Sequence, residues 1–214
     1  RTVVPAAALN MRERVILLHG IWMRGFMMAR IAQHLTAQGY VTEVVDYPSL
    51  SKGADACADD LRTRLTHYSD DAVHVVGHSL GGLVAMLATQ GDAPHGRTVC
   101  LGSPLVGSAA AKTLSAFAPW MMGQSRERLL SGLNEWRGAR EVGVIAGRVP
   151  FGMALLLGGL DGDNDGTVSV AETRLPGICD HAVISATHTG LPFSGEAITM
   201  TTNFLRGGRF SPAA

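Results

Sequence analysis

Residues 73–89 read VHVVGHSLGGLVAMLAT. An apolar run, VHVV, enters a glycine-rich turn, GHSLGG (77–82), and a second apolar run leaves it. The turn carries the pattern G-x-S-x-G, which by itself arises often by chance. Between a buried strand and a helix it has the setting a nucleophile elbow requires. The strained turn would lift the hydroxyl of Ser79 above the C-terminal edge of its strand. Gly77 and Gly81 would let neighbouring backbone pass close to it. The helix N-terminus behind it would favour developing negative charge. The competing reading is a glycine-rich turn with a capping serine.

Outward from this turn, strand and helix signals alternate. RVILLHG (14–20), VTEVVDYP (41–48), RTVCLGSP (97–104), REVGVIAG (140–147) and DHAVISATH (180–188) read as strands. The stretches at 25–40, 54–68 and 194–208 are apolar at helical spacing, the first closed by Gly39. Residues 108–136 read as helix in two pieces, split near Pro119 and Gly123. Short continuous apolar strands alternating with helices predict an α/β fold, a mostly parallel central sheet with helices on both faces. No repeat, linker or second domain is evident, so residues 1–214 are expected to form a single domain.

Composition narrows the function classes. Apolar residues make up 46% and charged residues 17%, which favours a packed core over a disordered chain. Eighteen basic residues balance 18 acidic ones with no basic stripe, which argues against nucleic acid as a partner. The run MALLLGGL (153–160) is too short to span a bilayer. The first residues lack the apolar core of an intact signal peptide, and the chain does not start with Met. Cys57, Cys100 and Cys179 form neither a CxxC nor a disulfide framework. A reducing, cytoplasmic setting is the expectation, and the oligomeric state is left open.

HGIW (19–22) directly follows the first buried strand. An HG pair there can aim a backbone N–H at a substrate oxyanion. The amides of Ile21 and Leu80 are the expected donor pair. His19 stands too early in chain order to be the base and is read as ordering its loop.

Together, HG after the first strong strand, GHSLGG at the elbow and GSP-x-x-GS (102–108) make the chain similar to the α/β-hydrolases of the bacterial lipase and esterase type. The resemblance resumes at DGTVS and HTGL, ends in the C-terminal helix, and is weakest at 109–160. It implies the chain order Ser, acid, His. The D-G-x-V segment then places the acid at Asp165, with Asp180 next in line. HTGL places the base at His188 rather than at His181, which starts the same expected strand. His34, His67, His74 and His95 are read as surface or structural residues, and His78 as turned away from the chemistry. The implied function is a serine carboxylester hydrolase for small-molecule esters of short to medium acyl chains, with no cofactor and no metal. An acyltransferase or thioesterase using the same residues is the alternative within the class. A non-catalytic hydrolase-fold protein binding calcium or a partner is the alternative outside it.

Two segments carry a second possible reading. DGDNDGTVSVAE (161–172) fits the EF-hand loop, with Asp161, Asp163, Asp165, Gly166 and Glu172 at specified places. Glycines before Asp161 and Pro176 shortly after Glu172 oppose the two flanking helices such a loop needs, so the match is read as coincidence. In 109–136, Leu114, Phe117, Trp120, Met121 and Met122 form an apolar cluster. Most are expected to face the core, while the sharper reading makes the segment a short cap over an acyl pocket.

Overall fold

The structure, a computed structural model, describes residues 13–68, 72–91, 93–152 and 160–211. The N-terminal dodecapeptide and the run at 153–159, including the glycines weighed against an EF-hand, lie outside the described residues. β1 (Glu13–Leu18), β2 (Val41–Val45), β3 (Ala72–His78), β4 (Thr98–Leu101), β5 (Val142–Gly147) and β6 (Asp180–Ile184) form one six-stranded sheet. Its order is β2-β1-β3-β4-β5-β6, and every pairing is parallel.

Alternation along the strands divides the core into two layers. Val15, Leu17, Val76, Val99, Leu101 and Ile145 face one side of the sheet. There they meet Ile31 and Leu35 of α1 (Ala29–Ala37) and Phe204 and Leu205 of α6 (Gly195–Gly207). Ile16, Leu18, Val73, Val75, Val142 and Val144 face the other side. They pack on Leu61 and Leu65 of α2 (Ala54–Thr66) and on Leu83 and Met86 of α3 (Leu80–Thr89). Burial on both faces explains why the central strands read as unbroken apolar runs. Each such side chain contributes about 1.5–3 kcal/mol. β2 and β6 close the sheet's edges and are largely half-exposed, in keeping with Thr42, Glu43 and His181 in their sequences.

Because all strands run the same way, their C-terminal ends share one edge of the sheet. The loops after Leu18, His78, Leu101, Gly147 and Ile184 gather there, the usual place for a binding site in such sheets. Between β4 and β5 the chain forms α4 (Ala109–Phe117), a 3-10 stretch Pro119–Ser125 and α5 (Arg126–Ser131). The helical break thus falls at Pro119, as expected. The expectation that most of the apolar cluster faces the core needs correction. Leu114 and Met122 are buried, whereas Phe117 is 71% and Trp120 74% exposed, with Met121 also exposed. α4 ends at Phe117, and the following stretch buries only Met122 and Ser125. No helix among the described residues is long and apolar enough to cross a membrane.

The turn after β3 is as tight as its glycines suggest. A Cβ on Gly77 would stand 2.4 Å from the carbonyl of Gly81, and one on Gly81 would stand 2.6 Å from the carbonyl oxygen of His19. All of these obstacles are backbone and cannot swing aside. Gly77→Ala should therefore cost at least about 1–3 kcal/mol, a fall in Tm of several degrees for a chain of this size. Gly207→Ala, where a Cβ would meet nothing within 4 Å, should leave Tm unchanged or slightly raised. Thermal melts of the two variants check this, and equal melting temperatures would count against the close passage.

Candidate active site

Ser79 sits between β3 and α3 with φ 54 and ψ −120. Left-handed backbone is uncommon for a residue with a Cβ and costs of order 1–3 kcal/mol. The fold holds it there from both sides. The Ser79 amide donates to the carbonyl of Leu101 at 2.9 Å, and the Ser79 carbonyl accepts from Gly82 N at 3.0 Å. The residue is 6% exposed and lines an open cleft together with His188.

His188 lies in the loop after β6 and is also nearly buried. Its Nδ1 is 2.8 Å from Oδ2 of Asp165. A carboxylate only accepts, so Nδ1 carries the proton and Nε2 keeps its lone pair. Asp165 is 1% exposed. Its other oxygen, Oδ1, accepts from the amides of Thr167 at 3.0 Å and Val168 at 2.7 Å. The Asp165 carbonyl accepts from His188 N at 2.8 Å, so the two residues are joined through backbone as well as side chain. Gly102 makes room for the pair: at φ +56, a Cβ there would stand 3.0 Å from Asp165 Oδ2 and 3.2 Å from His188 Nδ1.

The structure thus brings Ser79, Asp165 and His188 to the same edge of the sheet. His181 stays apart from them. It pairs with Val144 in the first half of β6, while the strand's C-terminal end, Ile184, pairs with Gly147. Its Nε2 lies 2.8 Å from the hydroxyl of Thr173, and burial lowers its pKa to about 4. Asp180 is likewise turned elsewhere, accepting from the amides of His181 and Phe210 at 2.9 Å each.

The two amides expected to face an oxyanion are placed around Ser79. Leu80 opens α3 directly after it, and Ile21 lines the same cleft. The loop carrying Ile21 touches the serine, since a Cβ on Gly20 would stand 3.1 Å from Ser79 Cβ. Neither amide donates to another described residue. His19 orders this loop. Its ring stacks on Tyr47 at 4.5 Å, its carbonyl accepts from the Tyr47 hydroxyl at 2.7 Å, and Asp46 Oδ1 lies 3.0 Å from its Nε2.

Two residues of the site escaped the sequence reading. His78 is fully buried against His188: its Nε2 donates to the carbonyl of His188 at 2.9 Å, and the two rings lie 4.8 Å apart. Its position beside the serine in GHSLGG was the available signal. Full burial, with a smaller contribution from the neighbouring His188, lowers its pKa to about 3, so the ring is neutral. The other is Trp22, which lines the cleft with φ 60. Nothing in HGIW marks a tryptophan as left-handed.

In the acidic loop at 161–172, two of the four carboxylates, Asp165 and Glu172, bond protein groups. Besides Asp165, Glu172 accepts from Ser169 N at 2.8 Å with one oxygen and from Ala109 N, at the start of α4, with the other. Asp161 and Asp163 are exposed. The loop leaves through a three-residue 3-10 turn, Ala171–Thr173, in place of the helix an EF-hand needs. An antiparallel bridge between Asn164 and Ser169 closes it into a small hairpin.

Comparison with known proteins agrees with this architecture. The sequence model of the Alpha/beta hydrolase family matches residues 15–198. The mature lipase BlEst2 of Bacillus licheniformis superposes with a TM-score of 0.70 at 19% identity, covering 92% of each chain. YbtT, a type II thioesterase of the yersiniabactin pathway, does so with a TM-score of 0.63 at 12% identity, covering 96% of this chain and 97% of its own. At those identities the likeness is one of fold. N-formylmaleamate deformylase of Pseudomonas putida is 30% identical over 80 residues, 37% of this chain. The matched stretch spans only 30% of that enzyme's length.

Two outcomes test this geometry. Asp165→Asn should lower turnover of p-nitrophenyl acetate by about three to four orders of magnitude, since a neutral amide cannot stabilise an imidazolium and favours the wrong tautomer. Asp163→Asn and His181→Ala should keep most activity, and excess chelator should leave Tm unchanged. Equal losses in all three variants would contradict the assignment. The second outcome concerns His78. Below its ordinary pKa of 6.5 the unfolded chain takes up a proton that the folded ring refuses until about pH 3. The unfolded state then binds more protons, so stability falls as pH falls, by up to about 1.4 kcal/mol per pH unit for this group. Denaturant titrations between pH 7 and pH 5 should show a shallower decline in His78→Asn than in wild type.

Proposed function

The chain belongs to the alpha/beta hydrolase family, and on that premise we propose that it is a serine carboxylester hydrolase in which Ser79, His188 and Asp165 act together. The observation that carries this reading is the buried 2.8 Å contact between His188 Nδ1 and Asp165 Oδ2, beside a cleft that His188 shares with a serine in left-handed backbone. In the proposed reaction Ser79 Oγ attacks the ester carbonyl while Nε2 of His188 takes its proton. Asp165 stays ionised, its Oδ1 held by two backbone amides, and stabilises the imidazolium. The amides of Ile21 and Leu80, which donate to no other described residue, receive the oxyanion. Removing one such donor typically costs about 2.7–4 kcal/mol of transition-state stabilisation. His188 then returns its proton to the leaving alkoxide, and water, deprotonated by the same ring, releases the acid.

This chemistry uses only groups of the chain and needs no cofactor. In this reading the whole chain is one hydrolase domain, and residues 109–131 form a short cap above the cleft. A thioester would enter the same sequence of steps with sulfur as the leaving atom. An acyltransferase would replace the attacking water with an acceptor alcohol. Supplying an alcohol at fixed ester concentration separates the two, because only a transferase would divert most of the acyl group to it.

Ser79→Ala should lower hydrolysis of p-nitrophenyl esters by at least about three orders of magnitude while leaving Tm within a few degrees of wild type. Across esters from acetate to palmitate, kcat/KM should peak at a short or medium chain. A variant with near-wild-type turnover would remove Ser79 from the reaction and favour a non-catalytic protein built on a hydrolase fold.

A further inference from the structure

Away from the cleft at Ser79, and sharing no lining residue with it, lies a cavity of about 150 Å³. It sits between the C-terminal ends of β1 and β2 and one flank of α2. Leu18 and Val45, which pair in register across the two strands, form its floor with Leu61 of α2 and Val84 of α3. Tyr47 adds a wall that is fixed before any ligand arrives. Its ring stacks on His19 at 4.5 Å, and its hydroxyl donates to the His19 carbonyl at 2.7 Å. Apolar walls already held in place cost little ordering when a ligand fills the space between them.

The mouth of this cavity is charged. Asp60 and Arg64 follow Cys57 and Leu61 along the same flank of α2, and their side chains are 63% and 46% exposed. Opposite charges four residues apart on a helix are neighbours and ordinarily pair with each other. Here they do not. Asp60 Oδ2 pairs with Lys52, and Arg64 Nη1 pairs with Glu43. Asp60 Oδ1 and Arg64 Nε and Nη2 bond no other described residue. Asp46, the third charged residue of the lining, has both oxygens taken, one by His19 and the other by Arg24. The mouth thus offers a free acceptor and a free pair of donors, side by side above an apolar floor.

We infer that this cavity is a second binding site, for a free α-amino acid whose apolar side chain is the size of leucine or phenylalanine. An α-amino acid carries its ammonium and its carboxylate on one carbon, so both must be met within one helical turn. Nε and Nη2 of Arg64 form the side-by-side pair of its fork and suit a carboxylate held by two bonds. Asp60 Oδ1 receives the ammonium. The side chain then reaches the floor, whose about 150 Å³ matches an apolar cavity of about 150 Å³ that accepts benzene. A ligand with only one charge leaves the other group of the mouth unmet, and glycine buries no side chain. The thiol of Cys57 gives the site a reporter. It lines the cavity, donates to the Lys52 carbonyl at 3.6 Å, and is pushed up in pKa by burial. The inference stands apart from the serine-hydrolase reading, since none of these residues takes part in that reaction.

The test pairs isothermal titration of the full chain with L-leucine and the rate at which methyl methanethiosulfonate modifies Cys57 at alkaline pH. The rates are measured in Cys179→Ser, which removes the exposed cysteine, while Cys100 is fully buried. Leucine should bind at one site per chain with a Kd of about 1 mM or tighter. At about ten times that Kd it should slow modification of Cys57 about tenfold. Glycine, isovalerate and isoamylamine lack the side chain, the ammonium and the carboxylate in turn, and each should bind at least about tenfold more weakly. Arg64→Gln and Asp60→Asn change exposed positions, so both should fold, as melting temperatures check. Each should weaken leucine at least about tenfold. Asp59→Asn, whose carboxylate pairs with Arg62 outside the cavity, should leave the affinity as it was. The same binding is expected of Ser79→Ala, so a chain without esterase activity still puts the site to the test. Titrations without saturable leucine binding would overturn the inference. So would bound leucine that leaves Cys57 unprotected, or an affinity kept in both mouth variants. Isovalerate binding as tightly as leucine would make the mouth a simple anion site and remove the amino acid.

Discussion

Everything at the cleft depends on how closely the turn after β3 passes over the end of β1. The first turn of α3 lies against the carbonyl oxygens of Leu18 and His19, near enough that a Cβ on Gly81 would stand 2.6–2.7 Å from them. That proximity does two things at once. It holds Ser79 in left-handed backbone, and it brings the loop carrying Ile21 against the serine. In the proposed reaction, an amide after β1 and the hydroxyl after β3 can converge on one substrate atom only if the two backbones nearly touch. The sheet makes this affordable, because β1 and β3 are central, fully paired and buried on both faces.

His188, the proposed base, reaches the same place from the far edge of the sheet. β6 ends at Ile184, and the loop that follows folds back over β5 and β4 to bring His188 to Asp165. Three contacts hold it there: the ring on Asp165, its amide on the Asp165 carbonyl, and its carbonyl on the ring of His78. His78 is the neighbour of Ser79 in the chain, so Ser79 and His188 are referenced to one turn although 109 positions separate them. A neutral His78 suits the proposed reaction, since a charged ring at 4.8 Å would oppose an imidazolium at His188.

How much of this could be read in the sequence follows from how local each signal is. The strands were legible because burial on both faces leaves continuous apolar runs, and the helices because their apolar spacing is regular. The turn at Ser79 was legible because its glycines are demanded by backbone, not by side chains. Asp165 and His188 were named through resemblance, since nothing near either residue states that a loop 23 positions away will meet it. Trp22 was missed because a positive φ in a tryptophan has no sequence mark. The apolar cluster in 109–136 was half misread: a short helix ending at Phe117 and a 3-10 turn have too few inward positions for five large side chains, so Phe117 and Trp120 face solvent.

The EF-hand pattern at 161–172 shows what the same residue types do without an ion to gather them. In a calcium loop the carboxylates converge. Here Asp165 and Glu172 diverge, each taking backbone amides as partners, while Asp161 and Asp163 are exposed. Asp165 accepts from Thr167 and Val168 and so stays fixed while it orients His188. Glu172, seven residues on, accepts from Ser169 within the loop and from Ala109 at the N-terminus of α4, where a negative charge is also favoured by the helix dipole. The Glu172 carbonyl adds a bond from Val106 at 3.1 Å. One short hairpin therefore sets the position of His188 at one end and anchors the helix that carries Ala111 and Leu114 at the other. The helix wall beside Ser79, formed by Ala111 and Leu114, and the orientation of His188 are thereby tied to the same piece of backbone, and a disturbance of that hairpin would reach both.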